Sequence, residues 1–302
     1  MTRNRATWFA VLALIFWSTS LAMVRSLAEP LGPFTFLLVT SASGGIILWV
    51  AEIARCRSLQ MPFALPTPYL LLGGTTFVAY FVLFTAALSL APTRAVAVQI
   101  GLINYLWPAL LLVFSIPVFG LTMRWFFVPG VVISILGSAI GTLDLASLKS
   151  LSRTLAGHAL PFLLMSGATL SWAGYSILAR KLAGKRSSSG THLFLLLTAL
   201  AAAFLRALTQ EESRWTAVQP LPLAYVSVLP NGLCYLFWEL GMRHGDQTLL
   251  GACSYALPVA STLFSCWYLG IVPSQALLIG CLLVVGGALL CHRGIRQARG
   301  VP

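Results

Sequence analysis

Gln99-Ile100-Gly101-Leu102-Ile103-Asn104-Tyr105-Leu106-Trp107-Pro108 lies within an apolar segment running from Ala95 to Phe119. The segment exceeds the roughly 20 helical residues that cross a bilayer. A helix facing only lipid has no use for Gln99, Asn104, a tyrosine and a proline at mid-depth, because polar groups there are costly unless they meet protein or water. Proline removes a ladder hydrogen bond and bends the helix. A bent, partly polar helix inside a membrane is expected to line a cavity.

The design returns in Gly251-Ala252-Cys253-Ser254-Tyr255-Ala256-Leu257-Pro258. Placing Pro108 on Pro258, a shift of 150 residues, also places Gly101 on Gly251, Tyr105 on Tyr255 and Phe114-Ser115 on Phe264-Ser265. The same shift matches Gly120, Gly130 and Gly137 with Gly270, Gly280 and Gly287. It is close to half the chain, which predicts two homologous halves, 1–150 and 151–302. Such internal repeats are common in transporters.

Composition sets the class. The 302 residues are 58% hydrophobic and 9% charged, against about 25% charged in soluble domains. An integral membrane protein is expected. The net charge of +12 is no nucleic-acid footprint, because the bases sit in short loops, where they orient a membrane protein. The six cysteines show no C-x-x-C pair and read as small buried hydrophobes. The four histidines are dispersed, so neither metal nor cofactor is expected. The first segment resembles a signal peptide, with Arg3 and Arg5 before an apolar run and Ser26-Leu27-Ala28 before Glu29. It is long enough to span, and its removal would leave one half a helix short.

Ten spans fit the hydropathy pattern: about 7–28, 33–54, 68–90, 95–118, 125–144, 158–181, 192–209, 221–242, 248–270 and 274–292. With the N-terminus in the cytoplasm, thirteen of the nineteen bases fall inside, which places both termini there. Five spans per half is an odd number, so the second half enters upside down: an all-α fold of two inverted five-helix repeats.

Polar and aromatic stripes recur at helical spacing, which puts each set on one helix face. Candidate cavity residues are Trp17, Ser18, Tyr80, Phe84, Gln99, Asn104, Tyr105, Trp172, Tyr175, Tyr235, Trp238, Ser254 and Tyr255. Each aromatic alone is equally explained as core filler or an interfacial belt; together they favour a central amphiphilic cavity. Gly101, Pro108, Gly251 and Pro258 are candidate hinges. Glu239 lies inside the eighth span with Arg243 four residues on. The pair reads as an ion pair reaching for the interface, or as a proton or cation coupling site.

Ten spans in two halves, with Phe16-Trp17-Ser18 in the opening helix, resemble the drug/metabolite transporter superfamily and its EamA-type exporters. Ala86-Ala87-Leu88-Ser89-Leu90-Ala91-Pro92 before the fourth span fits the resemblance, as do proline-bearing fourth and ninth spans and glycine-rich fifth and tenth spans. Asn104-Tyr105-Leu106-Trp107-Pro108 and Trp238-Glu239-Leu240-Gly241-Met242 resemble the bacterial inner-membrane exporters of aromatic and other amino acids within it. The resemblance implies export of amino acids through a cavity open alternately to each side. Small multidrug exporters of the superfamily rely on a glutamate in the first helix, where this chain offers Trp17, Ser18 and Ser20.

The expected function is therefore an exporter of aromatic and other apolar or small neutral amino acids. The partners are the substrate and the bilayer, with a monomer sufficient. Another small metabolite (nucleoside, quaternary amine or drug) is the alternative; nucleotide-sugars would need buried bases for phosphate, and none is evident deep in a span. An intramembrane enzyme is a third reading, disfavoured because His158, His192, His244, Asp144 and Asp246 are scattered.

Overall fold

A computed structural model describes residues 2–56, 65–142, 148–182, 190–218 and 220–296. Asp144, Lys185 and Arg186 lie outside these residues, and the side chains of Arg153 and His158 are likewise not described. The first three spans are α1 (Arg3–Leu31), α2 (Pro33–Cys56) and a π turn at Tyr69–Gly73 running into α3 (Gly74–Ser89). The fourth is α4 (Arg94–Asn104) plus α5 (Trp107–Phe119), and the fifth is α6 (Phe127–Thr142). Then come α7 (Leu148–Leu182) and α8 (Thr191–Thr209). The eighth is α9 (Pro220–Val228), a π turn at Leu229–Leu233 and α10 (Cys234–His244). The ninth is α11 (Gln247–Ser254) plus α12 (Leu257–Leu269), and the tenth is α13 (Gln275–Gly294). Eight helices are long and apolar enough to cross a membrane, and the fifth and ninth spans supply shorter apolar helices.

Two expectations need correcting. The fourth and ninth spans are broken rather than bent. The break falls at Tyr105-Leu106, upstream of Pro108. A continuous helix would need an N–H at position 108 to reach the Asn104 carbonyl, and proline has none. The chain instead tightens, with Tyr105 N donating to Leu102 O at 3.1 Å and Leu106 N to Ile103 O at 3.0 Å. A new helix restarts with Pro108 in its first turn, where the missing donor costs nothing. The ninth span repeats this with Ala256 N donating to Cys253 O and Pro258 in the first turn of α12. The helix that carries the sixth span begins at Leu148, while its apolar membrane-crossing part, Ala159–Leu182, matches the expected 158–181; the helix bounds, rather than the span, are the second correction.

The same correspondence extends to the helix ends. α5 and α12 both stop at glycines in the left-handed region, Gly120 at φ 62° and Gly270 at φ 66°. Leu121 N then donates to Ile116 O at 3.1 Å and Ile271 N to Cys266 O at 2.8 Å. Helix packing is also exchange-symmetric: α1 packs on α10 and α12, while α7 packs on α3 and α5. The helices α6 and α13 share the most extensive contact, and α2 packs along α8.

The seam between α6 and α13 is closed by glycines. A Cβ at Gly137 would lie 2.9 Å from Gly280 O, and one at Gly280 would lie 2.6 Å from Gly137 O. Gly130 and Gly287 face each other's carbonyls in the same reciprocal way. Small residues there let backbones touch, which replaces the hydrophobic drive that lipid does not supply. At the end of this seam a short β1 (Thr122–Met123) pairs antiparallel with β2 (Ile295–Arg296), tying the loop after α5 to the chain after α13.

Candidate functional site

Aromatic rings from five spans meet at the centre of the bundle. Trp17 of α1 lies 5.7 Å from Trp172 of α7, 5.0 Å from Tyr235 and 5.6 Å from Trp238, both of α10. Tyr80 of α3 lies 5.0 Å from Trp172, and Trp107 of α5 sits edge-on to Trp238 at 5.5 Å. Geometries of this kind contribute about 0.5–1.5 kcal/mol per pair beyond area burial. The Trp17 indole is fixed by donating to Pro230 O at 3.0 Å, within the π turn of the eighth span. A π turn widens the backbone spiral and often marks a functional site.

These rings enclose a cavity of about 30 Å³, lined also by Ser20, Leu21, Phe84, Asn104, Tyr105 and Leu257. That is roughly one water's share of liquid volume, so little free space remains among the rings. The broken fourth span supplies most of its polarity. The Tyr80 hydroxyl meets Asn104 and Tyr235, while Asn104 Oδ1 is buried with no hydrogen-bond partner. A buried acceptor without a donor costs about 1–3 kcal/mol, and a ligand ammonium or hydroxyl would relieve it. Gly101 permits the wall: a Cβ there would collide with the Leu21 side chain.

The sequence candidates divide. Trp17, Tyr80, Phe84, Asn104, Tyr105, Trp172 and Tyr235 border the central cavity. Tyr175 is a layer behind, 5.4 Å from Trp172 and 3.5 Å from the Tyr69 hydroxyl. Ser18 donates to Ile15 O of its own helix, and Gln99 is half-buried; neither borders this cavity. Pro108, Trp238, Ser254 and Tyr255 border a second space of about 360 Å³ beyond the Trp107–Trp238 pair. Pro258 is buried in the first turn of α12. Gly251 lies in α11, and its surroundings are outside the described residues. Leu21, Trp107 and Leu257 were not candidates, since apolar residues in an apolar span carry no contrast.

Glu239 and Arg243 form an ion pair at 3.1 Å with side chains 2% and 8% exposed, so the pair is buried within the protein. Thr191, the first residue of α8, donates to Glu239 Oε2 at 2.7 Å. A carboxylate beside a helix N-terminus is favoured by the helix dipole. At the opposite end Glu211 plays the same part for α2, accepting from Phe34 N at 3.0 Å and Thr35 N at 2.7 Å. Sequence reading missed that contact and missed Arg25, which is buried in α1 and donates to the C-terminal carbonyls Leu88 O and Ser89 O of the third span. Both join residues far apart in the chain, and no local pattern signals them.

A multi-pass bundle in which two sets of five spans pack by the same contacts, with interrupted helices beside a central cavity, has the build of a secondary transporter. The chain belongs to the EamA-like transporter family, which it matches over residues 4–143 and 159–292. It is 29% identical over 300 residues to the aromatic amino acid exporter YddG of Salmonella typhimurium, covering 98% of this chain and all of that one. It is 32% identical to the protein of the same name from Ancylobacter novellus, covering 95% of this chain and 97% of that one. A solved crystal structure superposes with a TM-score of 0.72 at 30% identity, covering 96% of this chain and 98% of the other.

Proposed function

We propose that this protein exports amino acids with aromatic, apolar or small neutral side chains across a bacterial inner membrane. The observation that carries the reading is the ring cluster of Trp17, Tyr80, Trp172 and Tyr235 beside the unpartnered Asn104 Oδ1. Ring faces suit an apolar side chain, and a buried acceptor suits the amino group of a zwitterion. Full-length similarity to proteins named aromatic amino acid exporters supports the same substrate class and direction.

In this reading the halves 1–150 and 151–302 are inverted repeats that rock about the central cavity, with both termini cytoplasmic. Gly101, Pro108, Gly251 and Pro258 serve as hinges beside the breaks. The cavity is too small here for an amino acid, against the roughly 300–1,000 Å³ of ligand pockets. Transport therefore requires the rings to separate. Glu239 is a structural partner of Arg243 and Thr191 rather than a coupling site, because its charge is already matched inside the protein.

The test is uptake of labelled phenylalanine, threonine and methionine into proteoliposomes without an ion gradient. Equilibrating uptake that unlabelled amino acids compete away supports the reading. Uptake that appears only under a proton gradient sinks the structural role of Glu239. A ring cage also suits quaternary ammonium ions. Transport of tetraethylammonium but not of amino acids would replace this substrate class with that one.

A further inference from the structure

The central cavity is small, yet a larger space lies directly behind it. About 360 Å³ opens beyond the Trp107–Trp238 pair, at the end of the bundle that carries Arg180, His292 and Ile295. This volume falls in the range of small-molecule sites. Leu111, Leu112, Met242 and Leu250 form apolar walls, and among the described residues no carboxylate lines it. Ser115 and Ser254 spend their hydroxyls on the carbonyls of Leu111 and Leu250.

One donor at this space, the exposed Arg180, is not satisfied by the protein. Trp238 also borders the space, while its Nε1 is fully buried. The Arg180 guanidinium stands 4.4 Å from the Phe119 ring centroid, and among the described residues it makes no ion pair or hydrogen bond. A cationic fork at the edge of an apolar cavity calls for an anionic acceptor, and a carboxylate fits the fork in two-point fashion.

We propose that this space is a second substrate site, a vestibule in which Arg180 holds the carboxylate of an apolar amino acid before it passes Trp107 and Trp238. The proposal rests on the amino-acid reading and deepens it: Asn104 awaits the amino group in the centre, and Arg180 selects the carboxylate outside it. With the termini cytoplasmic, this is the loading side for export. The ring pair is then the barrier between the two sites.

The test uses the full-length protein in detergent and in proteoliposomes, as wild type, Arg180→Gln and Arg180→Lys. Calorimetric titration uses 3-phenylpropionate, which has the carboxylate and no amine, and phenethylamine, which has the amine and no carboxylate. Loss of a charge-assisted contact predicts at least about 10-fold weaker binding of 3-phenylpropionate to Arg180→Gln. Phenethylamine binding should be unchanged, Arg180→Lys should recover part of the loss, and the melting temperature should match wild type. In proteoliposomes the half-saturating phenylalanine concentration should rise with the maximal rate within about twofold.

Equal binding of 3-phenylpropionate to wild type and Arg180→Gln, or no binding to either, overturns the vestibule. So does an equal loss for both probes, which marks Arg180 as merely structural. If wild type carries no amino acid yet loses 3-phenylpropionate on Arg180→Gln, the transport reading fails and the carboxylate site stands.

Discussion

Asn104-Tyr105-Leu106-Trp107-Pro108 and Ser254-Tyr255-Ala256-Leu257-Pro258 have the same backbone and different surroundings. Both break between two helices, tighten through a short turn and restart on a proline. In the fourth span Asn104 and Tyr105 face the ring-lined centre, where Asn104 Oδ1 has no partner. In the ninth, Ser254 and Tyr255 turn toward the outer space, and Ser254 bonds its own helix at Leu250 O. The scaffold is symmetric because packing and helix breaks depend on small residues and prolines, which match in both halves. The site is not: the Asn104 amide oxygen has no partner, while the matching Ser254 hydroxyl bonds its own helix.

The strongest way to break this comparison is at the seam. Gly137→Leu and Gly287→Leu, at positions matched by the 150-residue shift, each drive a side chain into facing backbone. Overpacking costs about 1–3 kcal/mol and occasionally more, and backbone cannot move aside, so neither variant should yield a monodisperse folded peak in size-exclusion chromatography. Recovery of one variant but not the other would end the claim of equivalence. Next is Glu239→Gln, which removes the carboxylate charge that the buried Arg243 pairs with. Removing one partner of a buried pair costs about 3 kcal/mol or more, seen as a lower thermal unfolding midpoint.

The polar asymmetry has its own test. Asn104→Ala should raise the half-saturating phenylalanine concentration about 10-fold, the equivalent of one lost hydrogen bond at roughly 1.4 kcal/mol. Ser254→Ala, at the matching position, should change it less than about twofold, since its hydroxyl bonds only its own helix. Equal effects would make the centre symmetric after all. The smallest effect is expected from Glu211→Gln, which weakens the contact with Phe34 N and Thr35 N and lowers stability by about 1 kcal/mol.

The ten spans and their duplication were legible because hydropathy and the spacing of prolines and glycines are local properties of the chain. The break at Tyr105 was not, since a proline announces a missing donor while the backbone yields one turn upstream. Ser18 and Gln99 looked functional by polarity, yet a hydroxyl in a helix can satisfy itself on its own backbone, as Ser18 does. Leu21 and Leu257 border the cavity without any sequence contrast. Glu211 and Arg25 cap helices distant in the chain, and only the fold brings them there.

The glycine seam and the two-residue β ladder between Thr122–Met123 and Ile295–Arg296 hold one side of the bundle shut. In mechanical terms that side is a fulcrum: backbones already in contact cannot slide without collision, and the ladder limits their separation. In the rocking reading proposed above, the swing of one half against the other is levered from α6 and α13, and helices away from that seam, such as α2 and α8, travel further. Distance labels placed on α2 and α8 should report the stroke of the machine, while labels on α6 and α13 should stay still.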